Sequence, residues 1–152
     1  MSYTVNDRVI IVTGAGSGIG RATAQILAAA GATVAVADVS ASAEETVALI
    51  TEAGGNAFAQ IGDISKEEDS ARMVAEAAAR GPLKGLANNA GVMDYFSGAA
   101  ETDPAVWERV MRINAGGTFY MTRAAVPIMI TAGGGSIVNT ASAAGIRGAA
   151  AG

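Results

Sequence analysis

The run Thr13-Gly14-Ala15-Gly16-Ser17-Gly18-Ile19-Gly20 is where this chain is best equipped for chemistry. A Gly-rich turn that opens a helix lets backbone N–H groups approach a pyrophosphate, and the helix N-terminus adds partial positive charge. Gly14, Gly18 and Gly20 divide three tasks: the turn, the close approach and the tight packing of helix on sheet. Ser17 and Ile19 flank Gly18 and complete the candidate cradle. Asp38 follows about 20 residues beyond the loop. Its carboxylate could accept hydrogen bonds from an adenosine ribose, or it could only end a strand as a turn former. A 2′-phosphate there would meet like charge. The positions that could offset it hold Ser17, Val39 and Ser40, and the nearby cation, Arg21, lies inside the expected helix. These residues favour NAD(H) over NADP(H).

Other chemistries are excluded by what is missing. The chain has no His and no Cys. Ser-His-Asp hydrolysis, thiolate nucleophiles and His- or Cys-ligated metal sites are therefore impossible within it. No metal is expected.

The elements that must position these residues alternate in kind. Arg8–Thr13, Thr33–Asp38, Asn56–Ile61, Leu83–Asn88 and Ser136–Thr140 read as strands. Helices are expected from Gly18 to Ala30, from a Ser42-x-x-Glu45 capping box to Gly54-Gly55, from a Ser65-x-x-Glu68 cap to Gly81-Pro82, and from Asp103-Pro104 to about Ile130. The last of these carries Val106, Trp107, Val110, Met111 and Ile113, and Gly116-Gly117 makes an irregularity there plausible. Strands alternating with helices imply βαβ units: an α/β fold with a doubly wound parallel sheet, helices on both faces, and right-handed crossovers. The 152 residues fit one domain.

Four motifs stand in order along this frame. They are Thr13-Gly14-x-x-x-Gly18-x-Gly20, Asn88-Asn89-Ala90-Gly91, Asn114 within Arg112-Ile113-Asn114-Ala115-Gly116-Gly117, and Gly135-Ser136-Ile137-Val138-Asn139-Thr140-Ala141-Ser142. Together they resemble the short-chain dehydrogenase/reductase family over its N-terminal portion. The resemblance implies a Rossmann-type fold and hydride transfer between NAD(H) and a secondary alcohol or ketone. It implies that Asp63-Ile64 holds adenine, unless Asp63 merely starts a turn. Asn89, Ala90 and Gly91 would line the adenosine ribose, with Asn88 tying strand four to its neighbour. Ser142 would orient the substrate oxygen. Asn114 would hold a water in a distorted helix, unless it is a buried polar residue that only satisfies the kink. The long helix from Pro104 would pair with a second subunit, giving a dimer or tetramer, and Trp107 suits core or interface packing.

The family's Tyr-x-x-x-Lys pair is not in this sequence. Four residues after Tyr3, Tyr95 and Tyr120 stand Asp7, Ala99 and Ala124. The resemblance places that helix, and strands six and seven, beyond Gly152, so the single dinucleotide-binding domain is expected to stop at strand five with an open sheet edge. The alternative reading is a non-catalytic NAD(H)-binding module or inactive fragment. An unrelated mononucleotide-binding or receiver domain would not explain the motifs at Asn88, Asn114 and Ser142 together. Val92-Met93-Asp94-Tyr95-Phe96 could form one wall of a pocket for a hydrophobic carbonyl compound.

Net charge −4 and a pI near 4.7 leave no footprint for nucleic acid or an anionic membrane. Mean hydropathy of +0.35 comes from an Ala-rich composition rather than from a spanning helix. The most apolar stretch, Ala24 to Val39, is interrupted by Gln25, Gly31, Thr33 and Asp38. With no signal-peptide pattern at residues 1–7, a cytoplasmic protein is expected.

Overall fold

A computed structural model describes residues 5–145. Tyr3 and the tail Ile146-Arg147-Gly148 lie outside them. Five parallel strands form one sheet: β1 (Val9–Thr13), β2 (Thr33–Asp38), β3 (Asn56–Ile61), β4 (Leu83–Asn88) and β5 (Ser136–Asn139), in the order β3-β2-β1-β4-β5. The chain winds outward from β1 to β3, then returns to the other side of β1 with β4. In such sheets ligands bind at the carboxyl ends of the strands where the winding reverses, here between β1 and β4.

β1 is buried along its whole length, which explains its unbroken run of Val and Ile. Alternate residues feed two cores. Val9 and Ile11 face α3 (Glu67–Ala78) and α5 (Thr118–Thr131), packing with Met73, Val74, Met121 and Met129. Ile10 and Val12 face α1 (Gly18–Ala29) and α2 (Ser42–Glu52), packing with Ala24, Ala28, Ala43 and Ile50. The buried face of α1 is Gly20, Ala24 and Ala28, so the helix axis can approach the sheet closely.

Two expected caps are not formed. α2 begins at Ser42, with Ala41 in the cap position and no side-chain cap bond. Ser42 Oγ instead lies 2.6 Å from Ser40 Oγ. α3 begins at Glu67 behind Lys66, again uncapped by a side chain. Ser65 gives its N–H to Asp63 Oδ1, and its hydroxyl accepts from Arg112. Ser65 thus turns to a tertiary partner and Ser42 to a neighbour two residues back, in place of the capping bond. The Asp103 cap does form: its carboxylate accepts from Ala105 N at 2.8 Å, with Pro104 in the first turn.

The long helix is three segments: α4 (Pro104–Val110), a π-helical stretch over Met111–Gly117, and α5. The irregularity falls where the Gly pair stands. α4 buries none of its residues, and Trp107 is 61% exposed. Trp107 is thus no core residue of this chain. The edge strand β5 is also largely uncovered, with Val138 at 62% exposure. Among the described residues no helix is long and apolar enough to cross a membrane, and no cluster of three or more acidic residues could hold a metal ion.

Candidate functional site

The carboxyl ends of β1, β2 and β4 border a cleft of about 460 Å³. Gly14, Ser17, Gly18 and Ile19 line it from the loop after β1, Asp38 from the end of β2, Asp63 and Ile64 from the turn after β3, and Asn89, Ala90 and Gly91 from the turn after β4. Of the residues expected to contact a cofactor, Gly20 alone does not line the cleft. It packs instead: a Cβ there would stand 2.1 Å from Gly14 O and 2.7 Å from Asn89 Nδ2. Ala37, Val39, Gly62, Val92 and Ile113 also line the cleft. Val92 belongs to the segment expected to wall a pocket; sequence reasoning missed the other four because nothing but their position beside a motif marks them.

The floor of the cleft is tied together by Thr13. Its hydroxyl accepts the N–H groups of Asn89 and Ala90, both at 3.0 Å, and its carbonyl accepts Asn89 Nδ2 at 3.1 Å. Gly14 and Ala90 then approach so closely that a Cβ on Gly14 would lie 2.8 Å from Ala90 Cα. The N-terminus of α1 opens into this space. Ser17 occupies its cap position without a side-chain cap bond, and no acidic residue stands in its first turn. Its leading N–H groups lack intrahelical acceptors and suit an anion. Gly18, at φ +52°, has nothing within 4 Å of where a Cβ would be. The cradle is thus open at the point where a phosphate would approach.

Asp38 is both a turn former and a wall of the cleft. Oδ1 accepts Ser40 N at 3.0 Å and Ser40 Oγ at 2.9 Å, while Oδ2 accepts Gly16 N at 2.9 Å. Arg21 is committed elsewhere, to Gly16 O, to Thr46 Oγ1 at 2.9 Å and to Glu45 at 3.1 Å. Asp63 also combines two roles, accepting Ser65 N and lining the cleft. Its own N–H goes to Asp69 Oδ2 at 2.9 Å. That bond, reinforced by Arg72 at 3.1 Å, holds the Asp69 carboxyl below the usual aspartate range. The spacing of Asp69 two residues into α3 gave no hint of this. Ile64 fills the space that a side chain at Gly117 would need, with Cδ1 2.5 Å from the ideal Cβ position.

Asn114 and Ser142 do not line the cleft itself. Asn114 sits in the π-helical stretch next to Ile113, which does. Oδ1 accepts Val92 N at 2.8 Å and Nδ2 donates to Val92 O at 2.9 Å, so the carboxamide clamps the loop segment after Gly91. Asn114 is exposed, so it is not the buried polar residue allowed for above. Its carbonyl accepts Thr118 Oγ1 at 2.8 Å. Ser142 is exposed just beyond β5, and its carbonyl accepts Gly145 N at 3.0 Å. Asn88 ties β4 to its surroundings, donating to Asn139 Oδ1 at 2.9 Å and to Thr122 Oγ1 at 3.1 Å. In the Val92–Phe96 segment, Arg109 donates to Met93 O at 2.8 Å, and Tyr95 and Phe96 are exposed with positive φ.

A doubly wound parallel sheet with a Gly-rich turn at its switch point defines a nucleotide-binding α/β protein. Comparison with known proteins narrows this. The family model described as short chain dehydrogenase matches residues 8–152, and this chain belongs to that family. It is 39% identical over 150 residues to a cyclohexanol dehydrogenase of Acinetobacter sp. (strain SE19), covering 97% of this chain and 60% of that protein. It is 45% identical over 146 residues to a 2,5-dichloro-2,5-cyclohexadiene-1,4-diol dehydrogenase of Sphingobium indicum, covering 95% of this chain and 58% of that protein. Among solved structures, a short-chain type dehydrogenase/reductase from Mycobacterium ulcerans superposes with a TM-score of 0.92 at 32% identity, over 97% of this chain and 55% of that one. Levodione reductase gives 0.90 at 36% identity, over 95% and 57%. The chain therefore spans a little over half the length of these relatives.

Proposed function

We propose that this chain supplies the cofactor-binding half of an NAD(H)-dependent oxidoreductase that interconverts a secondary alcohol and its ketone. The observation that carries the cofactor choice is Asp38, fixed at the mouth of the cleft by Gly16 N and Ser40 while Arg21 is turned to other partners. A carboxylate so held accepts from ribose hydroxyls and repels a 2′-phosphate. The residues fit the group: open N–H donors at α1, Gly18 with free space before it, and Ile64 as an apolar wall beside Asp63 for adenine. NAD(H), when bound, supplies the hydride acceptor or donor.

This chain's own residues bind and orient. The Gly14–Gly20 loop receives the pyrophosphate, and Asn89, Ala90 and Gly91 border the adenosine ribose. Asn114 keeps the Val92 backbone in place, beside Gly91. Ser142, at the carboxyl end of β5, would donate to the substrate oxygen and fix its angle. By family resemblance, the proton step would fall to a Tyr-Lys pair outside these residues. Several relatives are named for six-membered carbocyclic alcohols or diols, which supports a carbocyclic secondary alcohol as substrate. The exposed Trp107 on α4 supports pairing of this helix with a second copy in a homo-oligomer.

The test is a titration of NADH and NADPH against the protein at the length its gene encodes, followed by turnover of cyclohexanol and related alcohols. NADH should bind at least about tenfold tighter, the equivalent of about 1.4 kcal/mol. Equal or tighter binding of NADPH refutes the cofactor assignment. Tight NADH binding without turnover of any alcohol or ketone leaves a binding module in place of an enzyme.

A further inference from the structure

We propose that Arg21 is a positioning residue for cofactor selection, acting through one peptide plane to aim Asp38 at the adenosine ribose. This rests on the NAD(H) reading above and extends it to a residue with no direct place at the cleft. The peptide between Ala15 and Gly16 is held at both ends. Its carbonyl accepts Thr46 Oγ1 at 2.9 Å, and its N–H donates to Asp38 Oδ2 at 2.9 Å. Thr46 is fully buried, and its hydroxyl oxygen accepts Arg21 Nε at 2.9 Å. That bond leaves the hydroxyl hydrogen to point at Ala15 O. A directed chain results: Arg21 N–H to Thr46 O–H, to the Ala15 carbonyl, and from the Gly16 N–H to Asp38. It runs from a cation to a carboxylate, so each bond polarises the next.

The surroundings keep the chain in register. A second Arg21 N–H donates to the next carbonyl, Gly16 O, and Glu45 Oε2 holds the guanidinium at 3.1 Å. Gly16 has no room for a side chain: an ideal Cβ would stand 2.0 Å from Ser42 Oγ and 2.8 Å from Asp38 Oδ2, so the backbone lies close against both. Without Arg21, Thr46 can turn its hydroxyl to Ser42 O, already 3.4 Å away. The Ala15–Gly16 peptide then loses the anchor on its carbonyl, and Asp38 Oδ2 loses the fixed position of its donor, while Oδ1 keeps Ser40.

The test is a double-mutant cycle on NADH affinity in the protein at its encoded length, using Arg21→Ala, Asp38→Ala and the pair. Arg21→Ala should weaken NADH about tenfold and reduce the preference for NADH over NADPH. In the Asp38→Ala background it should weaken NADH by less than about twofold, because the residue it acts through is gone. Arg21→Lys keeps the stem and charge but not the Nε donor, and should show the same dependence on Asp38 should the alanine variant fold poorly. The same fold-weakening by the Arg21 variants in both backgrounds, or an unchanged NADH-to-NADPH ratio, overturns the proposal while leaving the NAD(H) reading intact. Failure of the unaltered protein to bind NADH overturns both.

Discussion

Gly18 and Gly54 form a matched pair that isolates binding from backbone strain. Gly18 has φ +52° and Gly54 φ +81°, and neither has any atom within 4 Å of an ideal Cβ position. Alanine at either site meets no neighbour, so the expected stability loss is the left-handed penalty alone, about 1–2 kcal/mol. Gly54 ends α2, away from the cleft, whereas Gly18 lines it at the start of α1. A methyl at Gly18 stands in the space through which a phosphate would reach the helix N-terminus. Losing one hydrogen bond to a charged group there costs about 1.5–3 kcal/mol, or about 10- to 150-fold in affinity. Urea unfolding without cofactor should therefore give the two alanine variants similar midpoints. NADH fluorescence titration should separate them, with Gly54→Ala near the unaltered protein and Gly18→Ala weaker by at least about tenfold. Equal NADH affinity in the two variants would refute the placement of the pyrophosphate at α1.

Gly20→Ala tests packing instead of binding: its Cβ would press on Gly14 O at 2.1 Å, a backbone atom that cannot swing aside, so urea unfolding should show a loss of about 1–3 kcal/mol even without cofactor. Asn114→Ala removes both bonds to Val92, each worth about 1 kcal/mol, and should lower turnover more than Asn114→Gln if the clamp shapes the active site. Asp69, its carboxyl held below the ordinary value of 3.8 by Asp63 N–H and Arg72, contributes stability that is present above that value and is lost as pH falls through its lower folded value. The gap in urea midpoint between the unaltered protein and Asp69→Ala should therefore narrow between pH 6 and pH 3, and a gap that widens in acid contradicts the network. Trp107→Glu should shift the protein to a smaller species in sedimentation if α4 pairs with a second copy, whereas an unchanged mass assigns Trp107 another role.

What was legible in the sequence follows from which residues answer to local physics alone. The bounds of β2, β3 and β4 could be read because Gly and Pro stand just before or after them, and in β2 because Thr33, Val34 and Val36 mark a strand without any partner. Asp103-Pro104 was legible for the same reason: the cap bond stays within three residues. Ser42 and Ser65 carry the same local signal and depart from it: Ser42 meets the hydroxyl of Ser40, two residues back, and Ser65 meets Arg112, a partner that no short window contains. The Gly116-Gly117 pair signals an irregular helix, but the side-chain bonds that Asn114 makes from within the π-helical stretch go to Val92, 22 positions away in the chain. Arg21 is the sharpest case. By its position it is a helix cation beside a Gly-rich loop, available in principle to a phosphate. Only the fold brings Thr46 and Glu45 of α2 against it and commits its guanidinium to the loop carbonyl. Motifs therefore disclose the residues that would meet the cofactor. The side chains that hold those residues in place come from other elements, and their own sequence context gives no sign of the task.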